Sequence, residues 1–151
     1  MPAEHALQGF HAVRAYSSDP ERSRELLEQG LGFERSSEAW EARGDERGGL
    51  YFYDEPPGER GIQGAGSVHH VAWNSADEDH VTWQQQVAEH GAHPTPVIDR
   101  HYFKSIYFRE PSGVLFELAT PSPGFTIDEP LETLGEKLSI PARLEELRPQ
   151  I

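Results

Sequence analysis

The chain has no cysteine among its 151 residues, which excludes disulfides and thiolate metal sites and leaves the redox compartment unmarked. Cations are scarce: 13 Lys and Arg stand against 26 Asp and Glu, a formal charge of −13. A surface of that sign repels phosphate backbones and anionic bilayers, so neither a nucleic-acid nor a membrane partner is expected. The acids are spread along the whole chain, as a solvated face requires, and the excess also suits a protein that stays soluble in high salt. No apolar run reaches the length of a bilayer span, and the opening MPAEHALQGF lacks a basic segment followed by a long apolar one. The expectation is a cytoplasmic protein. The length predicts a single domain, 1–151, able to bury roughly two-thirds of its unfolded surface.

What the chain does have is an internal repeat. Placing His11 over His70 lays GFHAVRAYSSD (9–19) on VHHVAWNSADE (68–78). Placing Pro56 over Pro121 lays GGLYFYDEP (48–56) on GVLFELATP (113–121). Between these ends each copy has a helical stretch that closes at a Gly. PERSRELLEQG (20–30) has Asp19 placed as N-cap and Pro20 as its first residue, and DEDHVTWQQQVAEHG (77–91) is acidic in its first turn, as the helix dipole favours. Turns are expected near Gly44, Gly48, Pro111 and Gly113. Each copy then reads strand, helix, three strands. The predicted fold class is α+β: two tandem βαβββ modules with mixed, largely antiparallel sheets enclosing a metal cleft. Module one covers 7–56, a linker 57–66 and module two 67–120. A tail, 121–151, carries short helices at 129–138, capped by Asp128, and 142–148. A lone two-module unit leaves sheet edges that need covering, so a homodimer is expected.

The repeat is unequal where chemistry could sit. His70 lies in VHHVAW and Glu117 in SIYFREPSGVLFELAT, both strand-like apolar runs in which a polar ligand type is costly unless something meets it. The two strand-one histidines, His11 and His70, are matched by the repeat. Opposite Glu117 the first copy has Phe52. Two histidines and one carboxylate with open positions form the ligand set of non-haem Fe(II) oxygenases. His11, His70 and Glu117 are accordingly the candidate metal ligands, with Phe52 a fourth-ligand vacancy at the pocket. His101, beside Arg100, and Phe125, in a tail expected to fold over the cleft mouth, are candidate pocket residues. Trp73 is expected on the strand face opposite His70, in the core or a subunit interface. His5, His80, His90 and His93 are expected at the surface.

The words GAGSVHHVAW and TPVIDRHYFKSIYFREPSGVLFELATPSPGFTIDEPLETLGEKLSIP carry a resemblance. From about Gly64 to Leu147 the chain resembles the C-terminal part of hydroquinone ring-cleaving dioxygenases in the vicinal oxygen chelate superfamily, which includes glyoxalase I, extradiol dioxygenases and bleomycin-resistance proteins. The first module resembles them more loosely, through GFHAVRAYSSDPE and LGF (31–33). The resemblance implies Fe(II), with Mn, Zn or Ni as other divalent possibilities, held by His70 and Glu117. It also implies that His69, Arg100 and Tyr107 handle protons and orient the ring. The small aromatic substrate would be hydroquinone- or catechol-like, with both atoms of O2 inserted. Members are usually about twice this length, and the remaining histidine comes from their first module, so His11 rests on repeat symmetry alone. Strand alternation also sets His69 on the face opposite His70. Three other readings stay open: a glyoxalase-like Lewis-acid metalloenzyme, a metal-free aromatic-binding module, and an inactive half of a longer dioxygenase.

Overall fold

Two four-stranded sheets follow one another along the chain, in a computed structural model that describes every residue except Met1, Gln8, Asp45, Glu46 and Arg60. The first contains β1 (Ala12–Tyr16), β2 (Glu34–Ser36), β3 (Ala39–Ala42) and β4 (Gly49–Asp54), in the order β1-β4-β3-β2. The second contains β5 (Val71–Asn74), β6 (Ile98–Asp99), β7 (Lys104–Arg109) and β8 (Leu115–Ala119), in the order β5-β8-β7-β6. Each has one parallel pair, β1 with β4 and β5 with β8, and antiparallel hairpins elsewhere. This is the α+β, two-module architecture the repeat predicts. The first helical stretch starts at Pro20 as a tight 3-10 turn and widens to a π turn over Leu26–Gly30. Asp19 does not cap it with its side chain. The second, α1 (His80–Glu89), starts later than expected because Asp77 and Glu78 form the preceding turn, and it ends where Gly91 takes φ +85°.

Alternation along the strands builds one core. Val13, Trp40, Tyr51 and Tyr53 from the first sheet meet Val71, Trp73, Ile106, Phe108, Phe116 and Leu118 from the second, with Leu26, Leu27 and Val87 from the helices. The Tyr51 and Phe116 rings lie 5.2 Å apart and those of Phe33 and Trp73 4.9 Å apart, edge to face. Trp73 is thus a core residue. The modules meet through these apolar faces. Phe52 and Glu117 alternate onto the opposite faces of their sheets, so they do not line one shared cleft between the two modules.

Strand register corrects the repeat alignment by one residue. Tyr51 and Phe116 are equivalent core residues, and they pair with Val13 and Val71 respectively. Val13 therefore matches Val71, which places His11 over His69 and Ala12 over His70. A slip of one residue exchanges the faces of a strand. His11 is not the counterpart of His70.

A buried carboxylate joins the modules. Glu110, 1 % exposed in the β7–β8 turn, accepts hydrogen bonds from Ser23 Oγ, from Tyr53 Oη at 2.7 Å, and from the backbone N–H groups of Ser112 and Val114 at 2.9 and 2.8 Å. Burial pushes the Tyr53 phenol well above its usual pKa, which keeps it a donor. Ser112 Oγ also meets Ser17 and Ser23, both at 2.8 Å. Glu110→Ala leaves these donors without their acceptor. We expect a loss of roughly 3–5 kcal/mol in urea unfolding, since hydrogen bonds to a charged group contribute about 1.5–3 kcal/mol each. A change below about 1 kcal/mol, the size of an ordinary surface substitution, would count against this role.

Candidate functional site

Glu117 sits on β8, a strand flanked on both sides, and is only 3 % exposed, so its carboxylate must be met by polar groups. Three meet it. His70 Nε2 lies 2.7 Å from Oε2, while Tyr107 Oη donates to Oε1 at 2.6 Å and Ser105 Oγ donates to the same oxygen. The β7–β8 hairpin sets Tyr107 directly across from Glu117, and Ser105 follows two residues away on the same face. On the other side, β5 pairs Ala72 with Glu117, and His70 lies just before that strand begins. The imidazole is partly open, its side chain 32 % exposed. One carboxylate oxygen is thus fixed by hydroxyls while the other faces an imidazole nitrogen. Such outer partners orient a metal-ligating carboxylate.

His69 also reaches this cluster. Its Nδ1 lies 2.9 Å from His70 Nδ1, and the rings meet at 90° with centroids 5.2 Å apart. Alternation fails here because β5 starts only at Val71, so residues 69 and 70 are not bound by strand pleating. The Arg100 guanidinium lies 5.2 Å from the Tyr107 ring centroid, and His70 packs edge-on to the same ring at 5.7 Å. Five sequence candidates, His69, His70, Arg100, Tyr107 and Glu117, therefore come together on one face of the second sheet.

Four candidates lie elsewhere. His11 lines a separate groove of about 820 Å3 between the modules, with Phe33, Trp73, Trp83 and Leu118. Among the described residues no group of three or more His, Cys, Asp or Glu side chains could hold a metal, so the expected triad of His11, His70 and Glu117 is not assembled within this chain. Phe52 lies on the first sheet under the Arg14 guanidinium, 4.6 Å from the ring centroid, where Arg14 also pairs with Asp54. Phe125 packs on Tyr102 with centroids 5.0 Å apart, and His101 bonds Asp128 at 2.9 Å. His80, expected at the surface, is 2 % exposed, and its Nδ1 meets Ser75 Oγ at 2.6 Å. Burial lowers its pKa and favours the neutral ring.

The tail differs from expectation for an identifiable reason. Pro130 is extended at ψ 151° and Gly135 takes φ +88°, so the helix expected over 129–138 shrinks to a 3-10 turn at Leu131–Thr133. The second helix is also a 3-10 segment, Ala142–Gln150. Asp128 caps neither, because its carboxylate accepts from Tyr102 Oη at 2.6 Å, from Ser139 Oγ at 2.9 Å and from His101 Nε2. The Tyr102 bond, then those from His101 and Ser139, hold its pKa at about 2 in the fold. That value lies below the ordinary 3.8, so the contact stabilises fully above about pH 4 and is lost as pH falls through about 2. Tyr102 ring resonances in an acid titration should report this, and a transition above pH 5 would contradict it.

Residues 9–118 match the Glyoxalase/Bleomycin resistance protein/Dioxygenase superfamily. The chain belongs to that superfamily. It is 43 % identical over 152 residues to the "Putative ring-cleaving dioxygenase MhqO" of Bacillus subtilis (strain 168), a match covering 97 % of this chain and 48 % of the relative. It is 34 % identical over 172 residues to the chlorohydroquinone/hydroquinone 1,2-dioxygenase of Sphingobium indicum, covering 100 % of this chain and 50 % of that protein. A crystal structure of a dioxygenase, so described as "putative", from Bacillus subtilis superposes with a TM-score of 0.83 at 42 % identity, over 97 % of this chain and 49 % of that one. The chain thus spans about half the length of the curated relatives it matches. Among the described residues no helix is long and apolar enough to cross a membrane.

Proposed function

We propose that this chain carries two of the three ligands of a ring-cleaving dioxygenase that uses Fe(II) and acts on a hydroquinone- or catechol-like aromatic. The observation that carries the reading is the pair His70 Nε2 and Glu117 Oε2, 2.7 Å apart, with the second carboxylate oxygen already held by Tyr107 and Ser105. An imidazole and an oriented carboxylate suit a divalent ion, and zinc or manganese would fit the same donors. Bound there, the iron would supply positions at which the aromatic hydroxyl and dioxygen are held together.

The other residues have work defined by the substrate. The two hydroxyls of a para-hydroquinone are on opposite sides of the ring, so one needs a base and the other a partner. His69, exposed beside His70, can take a proton from the nearer hydroxyl. Tyr107 holds a proton at Oη, and Arg100 brings positive charge beside that ring for anionic oxygen.

The third ligand would come from outside this chain's own pair of modules. By register, the first module offers Ala12 and Phe52 where the second has His70 and Glu117, and neither side chain is a ligand. Among the described residues the sheet edges β1 and β5 carry no further strand, and Leu7, Phe10, Ile62 and Val68 nearby in sequence are 79–95 % exposed. Another βαβββ module, from a second copy in a cytoplasmic homodimer or from the rest of a longer chain, would cover them. Metal analysis across a range of protein concentrations, with an oxygen electrode and hydroquinone or catechol, tests the reading. Iron with oxygen uptake is the expected result. Zinc or nickel bound without uptake would transfer the chain to Lewis-acid chemistry, and no metal at any concentration would remove a second copy as the source of the third ligand.

A further inference from the structure

Arg100 has no carboxylate partner among the described residues, so its direction must come from the backbone that carries it and from its stacking on Tyr107. That backbone is the turn between β6 and β7. The Arg100 N–H donates to Phe103 O at 2.9 Å, and between them His101 takes φ +73°. Positive φ suits a tight hairpin turn but strains a non-glycine residue, so it persists only where the surroundings impose it. Two carboxylates impose it. Asp99 Oδ1 accepts the His101 N–H at 2.7 Å, and Asp128, from the tail, accepts His101 Nε2 at 2.9 Å and Tyr102 Oη at 2.6 Å. Both central residues of the turn are therefore tied to one carboxylate far along the chain. Gly124 N–H adds a bond to Tyr102 O at 2.8 Å, and Phe125 packs on the Tyr102 ring.

The geometry points to Asp128 as a positioning residue for Arg100: through His101 and Tyr102 it fixes the turn that lays the guanidinium over Tyr107. The consequence for substrate rests on the placing of Arg100 at the aromatic's oxygen under the proposed function. The positioning itself does not. Asp128 touches none of the reacting groups, and its effect reaches Tyr107 and Glu117 only by way of the turn.

The test uses the 151-residue chain and the Arg100 Nε–H proton resonance, which the Tyr107 ring displaces upfield when the guanidinium lies over it. In Asp128→Asn the carboxylate becomes an amide with one acceptor oxygen for three donors, and more than half of that displacement should vanish. Asp128→Glu should restore it in part. Arg148→Ala removes the tail's bonds to Leu138 O and Glu145 but no bond to Asp128 or the turn, and should leave the displacement intact, which separates turn positioning from general loosening of the tail. An unchanged Arg100 shift in Asp128→Asn overturns the proposal, as does an equal loss in Arg148→Ala. Hydroquinone titrated against the same variants reads the functional consequence: binding should weaken roughly tenfold in Asp128→Asn, within the range that small displacements of a positioning group produce. A lost shift with unchanged hydroquinone affinity would remove Arg100 from the substrate while leaving Asp128 its positioning role.

Discussion

Glu117→Gln is expected to lower Fe(II) affinity by at least about 100-fold, since losing only the outer partners of a ligand costs about 10–100-fold. The buried side chain keeps its volume, and an amide oxygen can still accept from Ser105 and Tyr107. What disappears is the negative oxygen opposite His70 Nε2, where an amide group now faces the imidazole. A neutral amide offers a divalent ion far less than a carboxylate does. Iron content after dialysis, with oxygen uptake measured in parallel, reads the outcome. Urea unfolding of the metal-free protein should change little, which separates a ligand from a structural carboxylate such as Glu110. Full iron and full turnover in the variant would remove Glu117 from the metal site.

That contrast between two buried glutamates shows what was legible. Glu117 stands out because it interrupts LFELA, where the strand pattern would take an apolar residue. Glu110 sits beside Pro111 in a turn, where a carboxylate looks unremarkable, and only the tertiary fold brings Ser23 and Tyr53 to it. Tyr107 was legible in principle. A hairpin centred on Ser112 pairs residues 107 and 117 by counting outward, which is the observed register. The same counting gives Ser105: in KSIYFR, Ser105 and Tyr107 alternate with Ile106 and Phe108, so the two polar residues share the carboxylate's face.

The failures have physical causes. His11 was matched to His70 by lining up one histidine of a pair, although HAV over HHV fits equally well by eye. Only the pairing of Val13 with Tyr51 and of Val71 with Phe116 decides between them. Which sheet faces would meet was also hidden. Strands β4, β7 and β8 each have an apolar and a mixed face, and packing aromatic residues such as Trp73, Tyr51 and Phe116 together removes more apolar area from water than closing the mixed faces would. His80 and Asp128 escaped because each finds its partner through the tertiary fold or a local turn: Ser75 for one, the His101–Tyr102 turn for the other.

Tyr107→Phe should leave iron binding within a few-fold of wild type while slowing turnover by about 10²–10⁴-fold, the range for a positioned general acid or base. The ring stays, so the stacking of Arg100 and the edge contact with His70 persist. Only the hydroxyl goes. Glu117 Oε1 keeps Ser105 as donor, so the carboxylate remains held and the metal donors are still presented. Any fall in rate then reports the proton at Oη rather than loss of the metal. Turnover per bound iron is the quantity to measure, with KM alongside. A hydroxyl that merely orients Glu117 would lower iron content and leave the rate per iron unchanged. One that serves the aromatic substrate would do the reverse, and unchanged values of both would exclude Tyr107 from the chemistry.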